Sequence, residues 1–296
     1  MSHGCARTKG TVACWGNSIR GLLGDGNLRE PSRGGGGGRV FCGGEYERCV
    51  PTPIASLHDV AQIAGGPSHT CARLAGGTVL CWGQNDQGQV GDDTTTPRPR
   101  PTPVRGLTDA VEIAAGQSHT CARRKDSSVS CWGGNGFGQL GDGATKDRGA
   151  PAAVTGLRDV AQIACGGMRS CARLVDGTVS CWGIGQSPRG PVPGLVAIAD
   201  IAVGGAHACA RAKDGALSCW GDNSAGQLGD GTNERRTAPV RVAALTGTTL
   251  VALGARHTCV AAGTGGETWC WGANANHELG DGTTDERHAP TRIVYR

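Results

Sequence analysis

The chain has 296 residues and a formal net charge of only +4, and 52 of its residues are glycine. Glycine at this density without a three-residue period excludes a collagen-like helix, and the short apolar strings between the glycines argue against a disordered chain. The weak net charge, without a dense basic stripe, argues against a nucleic-acid-binding protein. No apolar run approaches the roughly 20 residues of a membrane span. What remains is an all-β protein built from many short strands and tight turns.

A cassette of paired cysteines organises the chain. It contains a cysteine, a short strand, a tight turn, a second strand and a second cysteine followed by Trp-Gly, and it occurs six times. The pairs are Cys5 with Cys14, Cys71 with Cys81, Cys121 with Cys131, Cys171 with Cys181, Cys209 with Cys219, and Cys259 with Cys270. No Cys-x-x-Cys occurs, so the spacing of a zinc ribbon is absent. We predict neither a metal site nor a cofactor.

The cassettes recur with a period of 50 residues. Cys71, Cys121 and Cys171 are 50 residues apart, as are Cys209 and Cys259. The interval before Cys209 is 12 residues short, and the interval before Cys71 is 16 residues long. Each full repeat has four strand-like pieces, which is typical of a propeller blade. The sequence therefore predicts one β-propeller domain over residues 1–296, with four-stranded blades and six visible repeats.

The four pieces differ in character, as the second repeat shows. The first is the slender apolar run Asp59–Gly65, which suits a strand buried on both faces where blades converge. The second and third, Ser68–Arg73 and Thr78–Gly83, contain the cysteines. The fourth, Pro101–Val104, is led by proline, which confines it to a sheet edge or a strand start.

The repeat breaks at three places. The first repeat has an insertion at about 27–50 that includes five consecutive glycines, Gly34–Gly38. In the fourth repeat, Trp182 is followed by Gly183–Pro188, and the Gln-Leu-Gly-Asp-Gly loop of the other repeats is missing. The chain begins at a position equivalent to the second strand of a blade. We therefore expect an incomplete first blade, and a fragment of a seven-bladed propeller whose upstream part could hold a secretion signal.

The cysteines of a cassette are predicted to face each other across a hairpin. A three-residue loop at 175–177 places Leu174 opposite Thr178. Cys171 then faces Cys181, as a disulfide requires. In pairs that are one residue closer or wider, the hairpin loop changes by the same one residue. This favours six disulfides in an oxidising compartment; the alternative is that each cysteine is a small buried apolar residue between blades.

Three cysteines stand outside the cassettes. Cys42 and Cys49 could close a small loop within the insertion. Cys165 occupies the position of Ala115 in the innermost strand. We expect Cys165 to be buried.

The recurrent aromatic and histidine residues are predicted to be structural. Six tryptophans directly follow the second cysteines and are expected to pack between blades: Trp15, Trp82, Trp132, Trp182, Trp220 and Trp271. A histidine stands two residues before the first cysteine in five repeats, and arginine takes its place in the fourth. A ring of metal-binding histidines is the alternative, but structural histidines bonded to the backbone are favoured. The Asn-x-x-Gly loops faintly resemble calcium loops, yet they lack the spacing and the closing glutamate.

The repeat sequence resembles a known family. Ser-His-Thr-Cys-Ala, then Gly-Thr-Val-x-Cys-Trp-Gly, then Asn-x-x-Gly-Gln-Leu-Gly-Asp-Gly is similar to the regulator of chromosome condensation repeat, most clearly at Asn135–Gly143 and Asn223–Thr232. The resemblance implies a β-propeller of about seven blades. The family's founding member is a nuclear exchange factor for a small GTPase that binds chromatin. The cysteines depart from the usual family pattern and resemble a bacterial extracytoplasmic variant.

No catalytic set emerges from the sequence, so we predict that the protein is not an enzyme. It contains neither a Gly-x-Ser-x-Gly elbow nor a phosphate-binding loop. An enzyme of this fold would need convergent carboxylates or histidines, and the innermost strands offer chiefly Asp59, Asp109 and Asp159 at their ends.

Our functional hypothesis is a monomeric binding scaffold that recognises a protein or a glycan through its loops. The segments 27–50 and 92–101 are the predicted contact surface, with Arg39, Tyr46 and Arg48 as partner-binding residues. The predicted location is extracellular, periplasmic or at the cell surface, with no nucleic acid and no membrane span. The alternative, by family analogy, is a cytoplasmic exchange factor or partner of a small GTPase.

Overall fold

A computed structural model describes residues 3–28, 47–184 and 186–294. These residues form 23 β-strands and no helix, which confirms the all-β prediction. No helix capable of crossing a bilayer is present in these three ranges. The chain divides into two compact units, Met1–Arg158 and Asp159–Arg296. The single-domain organisation stays a prediction.

The first unit contains three antiparallel sheets. The first sheet has three strands in the described ranges: β1 (His3–Thr8), β2 (Thr11–Asn17) and β3 (Glu47–Pro53). The second has four: β4 (Val60–Gly65), β5 (His69–Leu74), β6 (Val79–Gly83) and β7 (Arg98–Pro103). The third also has four: β8 (Ala110–Ala115), β9 (His119–Arg124), β10 (Val129–Gly133) and β11 (Arg148–Ala153).

The second unit contains three sheets of four strands. The fourth sheet comprises β12 (Val160–Gly166), β13 (Arg169–Leu174), β14 (Val179–Gly183) and β15 (Gln186–Pro191). The fifth comprises β16 (Ile198–Val203), β17 (His207–Ala212), β18 (Leu217–Gly221) and β19 (Arg236–Arg241). The sixth comprises β20 (Leu250–Leu253), β21 (His257–Ala262), β22 (Glu267–Gly272) and β23 (Arg287–Arg292).

Each sheet pairs its strands in chain order, as a propeller blade does, and we number the blades one to six along the chain. The predicted four-stranded blades and the incomplete first blade are confirmed for the described residues. The fourth strand was misplaced by the prediction: it runs from Arg98 to Pro103 and not from Pro101 to Val104. A register shift beside Cys81 lets Arg98 pair with Gly83, so the strand begins earlier.

The central hairpins follow the predicted loop lengths. In the fourth blade, the Leu174 amide donates to the Thr178 carbonyl at 2.8 Å, which closes a three-residue loop. Gly177 supplies the left-handed backbone conformation (φ +86°) that this loop needs. The Asp176 carboxylate accepts a hydrogen bond from the Thr178 amide at 2.9 Å and stiffens the turn.

The six predicted cassette disulfides are confirmed. Each joins directly opposed residues of a hairpin, and the Cα atoms of the bonded pairs lie 4.1–4.2 Å apart. The bonds join Cys5 with Cys14, Cys71 with Cys81, Cys121 with Cys131, Cys171 with Cys181, Cys209 with Cys219, and Cys259 with Cys270.

The alternative interpretation of the cassette cysteines, as buried apolar residues, was wrong about their bonding and right about their burial. Cys14, Cys219 and Cys270 are disulfide-bonded, yet they are also buried, at 0%, 0% and 3% exposure. The sequence analysis set the two properties against each other. They coexist for Cys14 and Cys219 because Trp82 and Trp271 of the next blade pack against those bonds, whereas Cys270 is covered by Leu279 and Ile293 of its own blade.

The cysteines outside the cassettes have separate outcomes. Cys49 lies exposed on β3, whereas Cys42 falls outside the described residues, so a Cys42–Cys49 bond stays a prediction. Cys165 lies half-buried on β12, with its Sγ 3.6 Å from the Ser170 Oγ. Its burial is thus less complete than the sequence predicted.

The cores lie between consecutive blades of a unit. In one of them, Trp132 of the third blade packs with Cys71 and Cys81 of the second blade, together with Ile113. In the second unit, Trp271 packs with the disulfide of the preceding blade in the same way. The disulfides of the first, second, fourth and fifth blades therefore serve as apolar surfaces for the next tryptophan, and small residues on the inner strands let the blades approach closely.

Candidate functional site

In each four-stranded blade, two variable loops project from the same end. The turn after the first strand and the loop after the third strand must lie together, because neighbouring strands run in opposite directions. Backbone hydrogen bonds join them, as from Gln84 to the Ser68 carbonyl (2.9 Å) and from Gly134 to the Ser118 carbonyl (2.7 Å). We call this the loop end, and we call the end with the disulfide-flanked turns the hairpin end.

A buried asparagine organises each long loop at the loop end. Asn135 is fully buried; its Oδ1 accepts from the Leu140 amide at 3.0 Å, and its Nδ2 donates to the Asp142 carboxylate at 3.1 Å. The same Nδ2 reaches the Lys146 carbonyl at 3.1 Å. One side chain thus fixes both halves of the loop. The equivalent residues in other blades are Asn85, Asn223 and Asn274.

An arginine on the fourth strand completes each loop. Arg236 forms an ion pair with Asp230 at 2.9 Å, and Arg287 pairs with Asp281 at 2.8 Å. Asp142 pairs with Arg148 in the same way. Hydrogen bonds from Thr283 and then from Arg287 hold the pKa of Asp281 well below its usual range. The arginine supplies the positive charge that a calcium ion would supply in a calcium loop.

This arrangement also explains Arg48, which the sequence analysis assigned to partner binding. Arg48 stands opposite Gly16 on β3 and pairs with Asp25 at 2.7 Å, as the loop arginines of the other blades do. Arg48 therefore closes the base of the insertion. Arg39 and Tyr46 lie outside the described residues, and the partner-binding role of all three residues stays a prediction.

The Asn, Asp and Arg set was missed from the sequence, although its signal was present. The aspartate follows the asparagine by seven residues, and the arginine follows the aspartate by six, in four repeats. The predicted contact segment 92–101 therefore begins with structural residues, because the Asp92 side chain is only 7% exposed and pairs with Arg98. Its exposed positions are Asp93, Thr95 and Thr96 in the loop and Arg100 on β7.

Replacing Asp142 with asparagine tests this loop design. Asp142→Asn removes the ionic partner of Arg148 while keeping the side-chain shape, and we expect a loss of about 1–3 kcal/mol of unfolding free energy. Urea denaturation measures the loss, and faster amide exchange at residues 134–147 should accompany it. Asp176→Asn is the matched control, because Asp176 is exposed in a hairpin turn and an asparagine can keep its turn contact. Equal losses in the two variants would contradict the assignment.

The recurrent histidines link successive blades through a threonine. His69 Nε2 lies 2.8 Å from the Thr120 Oγ1, which donates to the Gln89 carbonyl at 3.1 Å. Trp132 Nε1 donates to the same carbonyl at 3.0 Å. In the second unit, His207, Thr258 and Gln227 repeat the chain with distances of 2.9 Å. His3, His69 and His207 thus bond a side chain of the next blade, and not the backbone as predicted.

These contacts fix the state of His69. Because the Thr120 hydroxyl donates to Gln89, its oxygen must accept the proton on His69 Nε2, which leaves Nδ1 as a buried lone pair. Burial, with smaller contributions from His119 and His3, lowers the pKa of His69 to about 3. Burial likewise lowers the pKa of His207 to about 3 and that of His119 to about 4. All three are neutral at physiological pH.

The inner-strand aspartates lie at the hairpin end and have structural contacts. The carbonyls of Asp59, Asp109 and Asp159 each accept from the hairpin turn of their own blade, at 2.9–3.0 Å. Asp109 also pairs with Arg124 at 3.0 Å. Each of these three aspartates therefore belongs to the hairpin turn of its own blade. Their contacts among the described residues are structural.

The loop end of the first unit offers a groove and an exposed aromatic ring. The groove has a volume of about 190 Å³ and is lined by Ile19, Arg20, Leu22 and Pro67, among others. Arg20 forms an ion pair with Asp86 at its rim. Phe137 is 50% exposed at the tip of the third blade's loop, where the second and fifth blades have Gln87 and Ala225. Aromatic anchors and arginines are enriched at protein interfaces.

The blades and their loops define the class: an all-β propeller whose recurrent polar residues are structural. A family model for the regulator of chromosome condensation (RCC1) repeat matches residues 76–123, 126–173 and 214–261. A second model of the same repeat matches 60–89, 110–139 and 198–227, so the two together match more than half of the chain. The chain belongs to the RCC1 repeat family.

Solved structures share this fold at low sequence identity. Human WBSCR16 is 20% identical with a TM-score of 0.83, over 99% of this chain and 80% of that chain. Yeast RCC1 (Prp20), solved bound to Kap60, is 23% identical with a TM-score of 0.79, over 99% and 73%. Prp20p from Saccharomyces cerevisiae, in a study of its binding to Gsp1p and histones, is 20% identical with a TM-score of 0.67, over 98% and 87%. At these identities the similarity shows the fold.

Proposed function

We propose that this protein is a non-enzymatic, extracytoplasmic scaffold that binds a partner protein through its loop end. The observation that supports the proposal most directly is that each repeat combines buried recurrent residues with variable loop residues. Recurrent residues such as Asn135, Trp132 and His119 are buried, whereas the loop-tip residue differs between blades and is exposed at Phe137 of the third blade. A surface that varies over a constant framework is the usual design of a binding face.

The disulfides support the extracytoplasmic location. The chain has six cassette disulfides. Disulfides are rare in the cytosol, which keeps thiols reduced, and common in secreted and periplasmic proteins. An oxidising compartment is therefore the environment that fits this chain.

A protein is favoured over a glycan as the partner. Phe137 and the Arg20–Asp86 pair offer an aromatic anchor and a charged rim, which suit a protein surface. Yeast Prp20, of the same fold, is described with the protein partners Kap60, Gsp1p and histones. The fold of this family thus suits protein interaction or a GTPase-related role.

Site-specific photocrosslinking tests the proposal. A benzoylphenylalanine placed at position 137 should crosslink a discrete polypeptide in the oxidised extracellular fraction of cells that produce the protein. The matched control places the same group at Val175, which is 70% exposed at the hairpin end. Phe137→Ala should weaken partner binding while Val175→Ala leaves it unchanged. Equal crosslinking from both positions, or binding to a glycan array alone, would contradict the proposal.

The exchange-factor alternative has its own measurement. Release of a fluorescent guanine nucleotide from a panel of small GTPases is expected to be no faster with the oxidised protein than without it. An acceleration of about tenfold or more, a change of about 1.4 kcal/mol in activation free energy, would favour the GTPase-related function instead.

A further inference from the structure

The fourth blade departs from the others at one place on its loop end. Only two residues separate its third strand from its fourth, and Gly183 pairs directly with Gln186. The long loop is therefore missing, together with the glutamine carbonyl that it supplies in other blades. Arg169 stands where those blades have histidine, and Ala208 of the fifth blade stands where Thr120 and Thr258 stand.

The missing loop leaves one indole without an acceptor. Trp220 is 1% exposed, and its Nε1 has no hydrogen-bond partner among the described residues. Trp132 and Trp271, at the same position of their blades, donate to the carbonyls of Gln89 and Gln227 at 3.0 and 2.9 Å. A buried donor without an acceptor is destabilising, so the Trp220 Nε1 should bind an acceptor oxygen from outside the described residues.

The substituted arginine leaves a second donor. Arg169 is 5% exposed, and its Nε and Nη2 both approach the Ile184 carbonyl, at 3.4 and 3.2 Å. Its Nη1 is buried and has no partner among the described residues. Among the described residues, no carboxylate forms an ion pair with Arg169. Burial, and then the charge of Arg235, lowers the pKa of this guanidinium.

The two donors belong to one place. Trp220 pairs across the hairpin with Ala208. In other blades, the histidine equivalent to Arg169 bonds the threonine equivalent to Ala208, as His69 bonds Thr120. Trp220 packs with Cys171 and Cys181 of the fourth blade. The charge of Arg169 also lowers the pKa of His207, which precedes Ala208. In a regular blade, one glutamine carbonyl accepts from both the equivalent threonine and the equivalent indole.

We propose that the site formed by Arg169 of the fourth blade and Trp220 of the fifth blade, which we call the notch, binds a carboxylate on an acidic segment of the partner protein. A carboxylate oxygen replaces the missing carbonyl as acceptor for the Trp220 Nε1, and its charge balances the buried guanidinium through Nη1. Arg235 is exposed nearby and adds positive charge at the rim. The assignment rests on the proposed function only in naming a protein as the source of the carboxylate.

Indole NMR tests this site directly. The full oxidised protein labelled with ¹⁵N on tryptophan has seven indole N–H signals, one per tryptophan, and Trp220→Phe identifies the relevant one. Titration with a blocked tetraglutamate peptide should shift the Trp220 signal more than the other six. Arg169→Gln should weaken the binding about tenfold or more, since it removes the charge of the guanidinium. Arg169→Lys should restore part of the affinity.

The controls separate the possible outcomes. Arg173→Gln, the same change on the same strand, should leave the titration unaltered, because Arg173 contacts Gln162 at the other end of the blade. No shift of the Trp220 signal, or equal binding by the Arg169→Gln variant, overturns the site. Equal affinity for inorganic phosphate or chloride would mean an adventitious ion only. Loss of crosslinking from position 137 with an intact peptide titration would refute the proposed function and not this site.

Discussion

Lowering the pH from 7 to 5 is expected to destabilise the protein by several kcal/mol. His69, His119 and His207 are buried and neutral, with pKa values lowered to about 3, 4 and 3. In the unfolded chain they titrate at the ordinary histidine pKa, about 6.5. Between these limits the unfolded state binds more protons than the folded state, so the free energy of unfolding falls as the pH falls.

The size of this effect is large for a single class of residue. At pH 5 each of the three histidines should lower the free energy of unfolding by about 2 kcal/mol, or about 6 kcal/mol together. A typical protein has a stability of roughly 5–15 kcal/mol. Aspartates such as Asp281, whose pKa is lowered, titrate below this window and do not offset the loss. The stability should be complete above about pH 7 and should decline steadily below about pH 6.5.

Urea denaturation between about pH 5 and pH 7.5 measures the slope. His69→Gln should lower the stability at pH 7 and remove about one third of the pH dependence, since the three histidines contribute similar amounts. His58→Gln is the control, because His58 is exposed and should leave the slope unchanged. A stability that is flat over this range would show that the histidines are not held neutral by burial.

Reduction of the cassette disulfides is expected to unfold the protein at neutral pH. Each bond closes a loop of only nine to eleven residues of sequence separation. In the chain-entropy model such a loop contributes about 3 kcal/mol, so six independent loops would contribute about 18 kcal/mol, more than the roughly 5–15 kcal/mol stability of a typical protein. The bonds also provide the apolar surfaces on which Trp132 and Trp271 pack.

Circular dichroism with increasing concentrations of a phosphine reductant measures this transition. The double variant Cys121→Ala, Cys131→Ala should lose about 3 kcal/mol while keeping the remaining five cassette bonds. Mass mapping of alkylated peptides verifies which bonds survive. A fully reduced protein that keeps its near-ultraviolet spectrum and its denaturation midpoint would contradict the structural role of the disulfides, and it would remove the main support for an extracytoplasmic location.

Hairpin geometry was predictable from the sequence because it is local. The opposition of Cys171 and Cys181 follows from counting residues through one turn, and no distant part of the chain can alter that count. The regular spacing of Asn, Asp and Arg is equally visible in the sequence, but its structural role could not be inferred from it. Its meaning depends on a register shift between β10 and β11 that brings Arg148 opposite Gly133, and the sequence does not show that shift.

The sequence by itself determined the repeats, the strands, the disulfide partners and the family resemblance, since all of these depend on short-range pattern and spacing. Only the tertiary structure decided which residues of neighbouring blades meet. His69 bonds Thr120, a residue 51 positions away, and Arg48 joins Asp25 across the insertion. The unpartnered donors of Arg169 and Trp220 arise in the same way. Such contacts depend on how successive sheets stack, and no local propensity encodes that arrangement.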